Sequence, residues 1–71
     1  MKLYIIERYC RDIKVTDFVG IFDSEDKARA TLELIGCEHD EAYDIYSYVG
    51  KDAMTYTCWI DWCNLNEAKL I

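Results

Sequence analysis

Lys2 to Cys10 alternates, placing Leu3, Ile5, Glu7 and Tyr9 on one face of an extended chain and Tyr4, Ile6, Arg8 and Cys10 on the other. This predicts a first strand. Arg11 to Lys14 reads as a hairpin connection, although no Asn-Gly or Gly-Gly pair fixes its turn type. The second strand covers Val15 to Phe22, a β-branched and aromatic run in which Gly20 marks a bulge or a close backbone approach. At Asp23-Ser24 the hydrophobic period changes from two to nearly four. Ser24 is a good N-cap, Glu25 and Asp26 complement the helix dipole, and Ala28, Thr31, Leu32 and Ile35 share one face. Leu32 and Ile35 are the expected anchors. Gly36 suits the left-handed residue that ends such a helix.

Cys37 to Ala42 reads as a polar loop. A third strand, Tyr43 to Val49, alternates Tyr43, Ile45, Ser47 and Val49 against Asp44, Tyr46 and Tyr48. Gly50-Lys51-Asp52 is the clearest hairpin turn in the chain. The fourth strand, Met54 to Trp62, sets Met54, Tyr56, Cys58, Ile60 and Trp62 against Thr55, Thr57, Trp59, Asp61 and Cys63. The tail from Asn64 either adds a helical turn, capped by Asn64 or Asn66, or frays. The expected fold is α+β, in the order ββαββ: a four-stranded, mainly antiparallel sheet with one helix on one face and the other face free.

With 71 residues, the chain is expected to form one domain, 1–71. At this size stability is marginal, because only about 60% of the unfolded surface is buried. Yet 52% of the residues are hydrophobic, with six Tyr, two Trp and two Phe, more than a core under one helix requires. Some aromatics must therefore meet solvent or a partner. Either Ile45 and Val49 or Tyr46 and Tyr48 face the helix, and the aliphatic pair is the better core. The aromatics left over, Tyr46, Tyr48, Trp59 and Trp62, then form a candidate self-association surface, since Tyr and Trp are favoured interface anchors.

Net charge is −6. Residues 23–44 hold eight acids against two bases, and elsewhere acids and bases balance, so the excess lies in the helix and the loop after it. That field disfavours direct contact with nucleic acid and attracts a basic partner. Asp23, Glu25, Asp26, Glu38, Asp40, Glu41 and Asp44 are the candidate partner-binding residues. Extended residues at i and i+2 point the same way about 6.7 Å apart, close to the spacing of successive phosphates. Glu38, Asp40 and Asp44 are thus candidates to imitate a short phosphate row. The alternative is a solvated surface that confers solubility.

The remaining chemistry is sparse. Cys37, His39, Cys58 and Cys63 include zinc-ligand types, but Cys58 and Cys63 point to opposite faces of one strand. No metal or cofactor is expected. His39, the only histidine, has no nucleophile placed beside it by sequence, and no Gly-rich phosphate loop is present. The chain is read as a non-enzyme with no catalytic residues. The N-terminal apolar run is too short for a signal-peptide core, and no window approaches a membrane span. The expectation is a cytoplasmic protein with four reduced thiols.

The run Val19-Gly20-Ile21-Phe22-Asp23-Ser24-Glu25-Asp26-Lys27-Ala28, followed by Asp44-Ile45-Tyr46-Ser47-Tyr48, resembles a family of small proteins of bacteriophages and mobile elements. There a strand ends in a Gly-aromatic-Ser-x-Glu-x-Ala signature and a later strand carries I-x-x-Y. The resemblance covers about half the chain, and Met54 to Cys63 departs from the pattern. It implies a phage or prophage origin and supplies no activity. The chain is also similar to phage anti-defence proteins, anti-CRISPRs among them, in being short, acidic and built of few elements. Two functions follow as expectations: an inhibitor that occupies the basic, nucleic-acid-binding surface of a host enzyme, or a homo-oligomeric structural or regulatory module joined through an aromatic sheet face.

Overall fold

In the computed structural model, which describes residues 1–64, β1 (Lys2–Cys10) and β2 (Val15–Phe22) form the first hairpin. Helix α1 (Glu25–Ile35) follows, then β3 (Glu38–Asp40), β4 (Ile45–Val49) and β5 (Thr55–Asn64). The fold is α+β, with one helix and a single antiparallel sheet in the order β2-β1-β5-β4-β3. The sheet has five strands where four were expected, because Glu38 to Asp40 is a short edge strand and not a loop. Its three residues are polar and all exposed, so neither burial nor β-propensity announces it. A ring contact holds it: His39 stacks on Tyr46 of β4 at 4.1 Å and 4°. β4 begins at Ile45 rather than Tyr43, after a turn in which Asp44 adopts φ 51°, and β5 runs on to Asn64. Of the tail considered for a helical turn, 64–71, Asn64 ends β5 and the rest lies outside the described residues.

β2 contains a bulge. Ile6 of β1 opposes Gly20 and Glu7 opposes Phe18, so Val19 is the extra residue. The bulge reverses side-chain parity within β2. Phe22 and Asp17 now share the helix side of the sheet, while Ile21 and Phe18 share the open side. Gly20 is tight at this point, since a Cβ there would meet the Phe22 ring at 3.1 Å.

The helix is capped as its sequence predicts. Ser24, in extended geometry, accepts the Lys27 N–H at 3.2 Å, and Glu25 and Asp26 lie in the first turn. At the other end Gly36 has φ 87°, its N–H bonds Glu33 O at 3.0 Å, and the Cys37 N–H bonds Leu32 O at 3.3 Å. That pair of bonds is a Schellman ending. Ala28 and Leu32 are fully buried against Ile6, Tyr46 and Cys58, with Tyr4, Phe22, Cys37, Tyr48 and Ile60 packed around them.

The β4 face is the reverse of the expected one. Tyr46, 5% exposed, is the core residue under the helix, and Ile45, Ser47 and Val49 look to the open side. A tyrosine can be buried here because its hydroxyl accepts a bond from the Arg29 guanidinium at 2.6 Å. Ile35, expected as a second anchor, is 37% exposed. Leu32→Ala is therefore predicted to cost about 2–5 kcal/mol, the range for emptying a buried site. Ile35→Ala should cost clearly less. Urea denaturation of the two variants checks the ranking.

Candidate partner-binding surface

Four cations on the helix side of the sheet shape the charge distribution. Arg29, on α1, reaches Glu25 at 3.0 Å, holds Asp44 through both of its terminal nitrogens at 3.0 and 3.1 Å, and donates to Tyr46. Asp44 is also 2.8 Å from His39 Nε2. The Arg29 and His39 contacts hold the Asp44 carboxyl down at about 2. Lys27 pairs with Asp23 at 2.8 Å across one helical turn, drawing that carboxyl below its usual range. Arg8 on β1 makes a two-pronged contact with Asp17 at 2.9 and 2.6 Å and donates to Tyr48 at 3.0 Å. Lys2 places its ammonium 4.2 Å over the Trp62 ring.

The seven candidate acids therefore divide into two groups. Asp23, Glu25 and Asp44 are used by the fold, and Glu25 and Asp44 meet on the same arginine. Asp26, Glu38, Asp40 and Glu41 are exposed and make no ion pair among the described residues. Asp40 takes the Ala42 N–H at 3.0 Å within the turn. Glu38 and Asp40 keep their strand spacing and face the open side of the sheet, opposite Ser47 and Ile45. Asp44 does not extend their row, because its left-handed backbone turns it back onto His39 and Arg29.

The four candidate aromatics are also separated. Tyr46 is in the core. Tyr48 is half-buried on the same side, stacked on Tyr56 at 5.0 Å and 18°. Trp62, opposite Tyr4, belongs to the helix side as well and is 52% exposed. Only Trp59 lies on the open face, where its indole N–H donates to Glu7 Oε2 at 2.6 Å.

What sequence reading missed is the composition of that open face. Pairing places Leu3, Ile5 and Tyr9 of β1 beside Phe18 and Ile21 of β2 and Trp59 of β5, with Ile45 and Val49 of β4 further along. Phe18, Ile21 and Val49 are 65, 56 and 68% exposed. The charged residues on this face are Glu7, Asp61, Glu38 and Asp40, all acids. Every described Lys and Arg lies elsewhere: on the helix side, on the helix, or in the two hairpin turns. Half of this pattern was visible in the alternation of β1. The Val19 bulge, which brings Phe18 to join it, was not.

His39 spends Nε2 on Asp44 and its ring on Tyr46, which gives it a structural role in holding β3. Among the described residues no three His, Cys, Asp or Glu side chains gather as a metal site. All four cysteines are free thiols, and burial pushes Cys58 up to about 11 and Cys37 upward. A recess of about 340 Å³ lies beside Arg8, Tyr48, Asp52 and Tyr56, but Arg8 is engaged with Asp17 and Tyr56 donates its hydroxyl to Asp52. No described helix is long and apolar enough to cross a membrane. No family model, curated protein or solved structure matches this chain.

The Asp44 contacts set a pH dependence. A carboxyl lowered in the folded state stabilises the fold fully above its unfolded value, roughly 3.9, and loses that contribution as pH falls through about 2. Asp44→Asn is predicted to reduce the steepness of acid destabilisation between those two values. Urea midpoints measured across that window, wild type against variant, check it.

Proposed function

We propose that this chain is a small acidic binding protein that occupies the basic, nucleic-acid-binding surface of a host enzyme. It would act in the host cytoplasm, in the manner of the phage anti-defence proteins it resembles in size and charge. The observation that supports this reading is the segregation of charge. Four acids without an ion pair among the described residues, Glu7, Glu38, Asp40 and Asp61, share the open side of the sheet, with Glu41 in the turn after β3, and the described Lys and Arg lie off that side. A surface of this kind steers a cationic partner and repels phosphate.

A second reading, self-association through the open face, is favoured by the exposure of Phe18, Ile21 and Val49. It is opposed by the same charge pattern, because two copies placed face to face bring acids against acids. Salt separates the two readings. Raising it weakens capture of a basic partner and relieves repulsion between two copies.

The test is charge reversal at the β3 edge. The Glu38→Lys/Glu41→Lys double variant is predicted to lose capture of basic nucleic-acid-binding proteins from a nuclease-treated bacterial extract while keeping its stability, since exposed charges contribute only about 0–1 kcal/mol each. The control is Glu33→Lys, an exposed acid on the helix that no described cation pairs. Asp12 and Asp52, which look equivalent in the two hairpin turns, are unsuitable. Asp12 accepts the Thr55 N–H at 2.8 Å, and Asp52 accepts both the Met54 N–H and the Tyr56 hydroxyl. Equal capture by the double variant and the control would reduce the acidic excess to a solubility feature.

A further inference from the structure

One carboxylate on the open face stands apart from the others. Glu7 belongs to β1, flanked by β2 and β5, and pairs with Phe18 on one side and Trp59 on the other. The three side chains form one row across adjacent strands, about 4.8 Å from each to the next. Ile5 and Tyr9 lie before and after Glu7 on the same face of its strand. Glu7 is half-buried, yet its only polar contact among the described residues is the Trp59 indole N–H on Oε2. A charge in an apolar setting without a counter-ion is costly, and this one has an oxygen free and an aromatic ring on either flank.

That geometry selects its complement. A guanidinium is planar and always charged, donates in a fork, and stacks on aromatic faces. A second copy of this chain presents no described Lys or Arg on the matching face, and nucleic acid would bring phosphates against Glu7, Asp61, Glu38 and Asp40. We propose that the Glu7–Trp59–Phe18 row is a seat for an arginine side chain of a protein partner, with the apolar residues around it covering the partner's neighbouring aliphatic side chains. This rests on the reading of the partner as basic and names how the contact is made.

The test uses the full chain, isotope-labelled for NMR, with two short synthetic peptides: one alternating Arg and Val, the other with Gln replacing each Arg. The Arg peptide should shift the Trp59 indole resonance and the amides of Ile5 and Phe18, and the Gln peptide should not. Glu7→Gln keeps a carbonyl to accept the Trp59 N–H, so the fold should persist and its spectrum reports whether it does. Affinity for the Arg peptide should fall about tenfold or more in this variant, the worth of one charged hydrogen bond. Equal affinity in Glu7→Gln overturns the seat, as does an equal response to the Gln peptide. Shifts confined to Glu38, Asp40 and Glu41 overturn the seat and leave the basic-partner reading standing. No shift anywhere with the Arg peptide overturns both.

Discussion

One eleven-residue helix must close the inner side of a five-stranded sheet, and it is too small for the task. Its axis is about 16 Å long, while β5 alone, at ten residues, extends about 33 Å. The helix seals the region around Ile6, Leu32 and Cys58. At the margins of this core the same contact pattern appears twice. An arginine grips an aspartate with two nitrogens and donates to a tyrosine hydroxyl: Arg29 with Asp44 and Tyr46, Arg8 with Asp17 and Tyr48. Two-pronged pairs of this kind are stronger and more directional than point contacts. They satisfy the hydroxyls of two β4 tyrosines, one buried and one half-buried. No described side-chain nitrogen or oxygen is buried without a partner.

The segment from Asp17 to Gly36 was legible because each local signal agreed with the next. The strand residues, the Ser24 cap, the spacing of Ala28 and Leu32 and the terminal Gly36 all specify one strand–helix unit. The misreadings occurred where a pairwise contact outweighed a residue's own preference. Ile45 is a better core residue than Tyr46 by hydrophobicity alone. The contest changes once Arg29 satisfies the tyrosine hydroxyl and His39 stacks on the ring, and both partners lie outside β4. β3 had no signal of its own, since it exists through what β4 offers it. The Val19 bulge was hinted at by Gly20, but its effect on parity depends on the β1 register, which the sequence of β2 does not contain.

The acidic excess then has two meanings. Part of it is internal: Asp17, Asp23, Glu25 and Asp44 neutralise the cations that tie the helix and the outer strands together. Glu7, Glu38, Asp40 and Asp61 lie on the side of the sheet opposite α1, the same side as the exposed Phe18, Ile21 and Val49. A sheet normally buries one face and solvates the other, with polar residues on the wet side. Here the side opposite α1 mixes exposed Phe18, Ile21 and Val49 with hydroxyl residues such as Thr16, Ser47 and Thr57, and its charges have one sign. That pattern resembles half of an interface more than a solvated face.

Val19 illustrates how a defect can be worth keeping. With Val19 present, the bulge is what lets Phe18 and Gly20 oppose consecutive residues of β1; with Val19 deleted, the same partners could pair without one. What the bulge changes is the outer edge of the sheet, where β2 has no neighbouring strand on its far side among the described residues. A regular edge strand is a template for another chain, and a bulge twists it out of that role. Deleting Val19 would make this edge regular and so closer to the template that pairs with another chain. Such a variant would reveal itself first in its solubility.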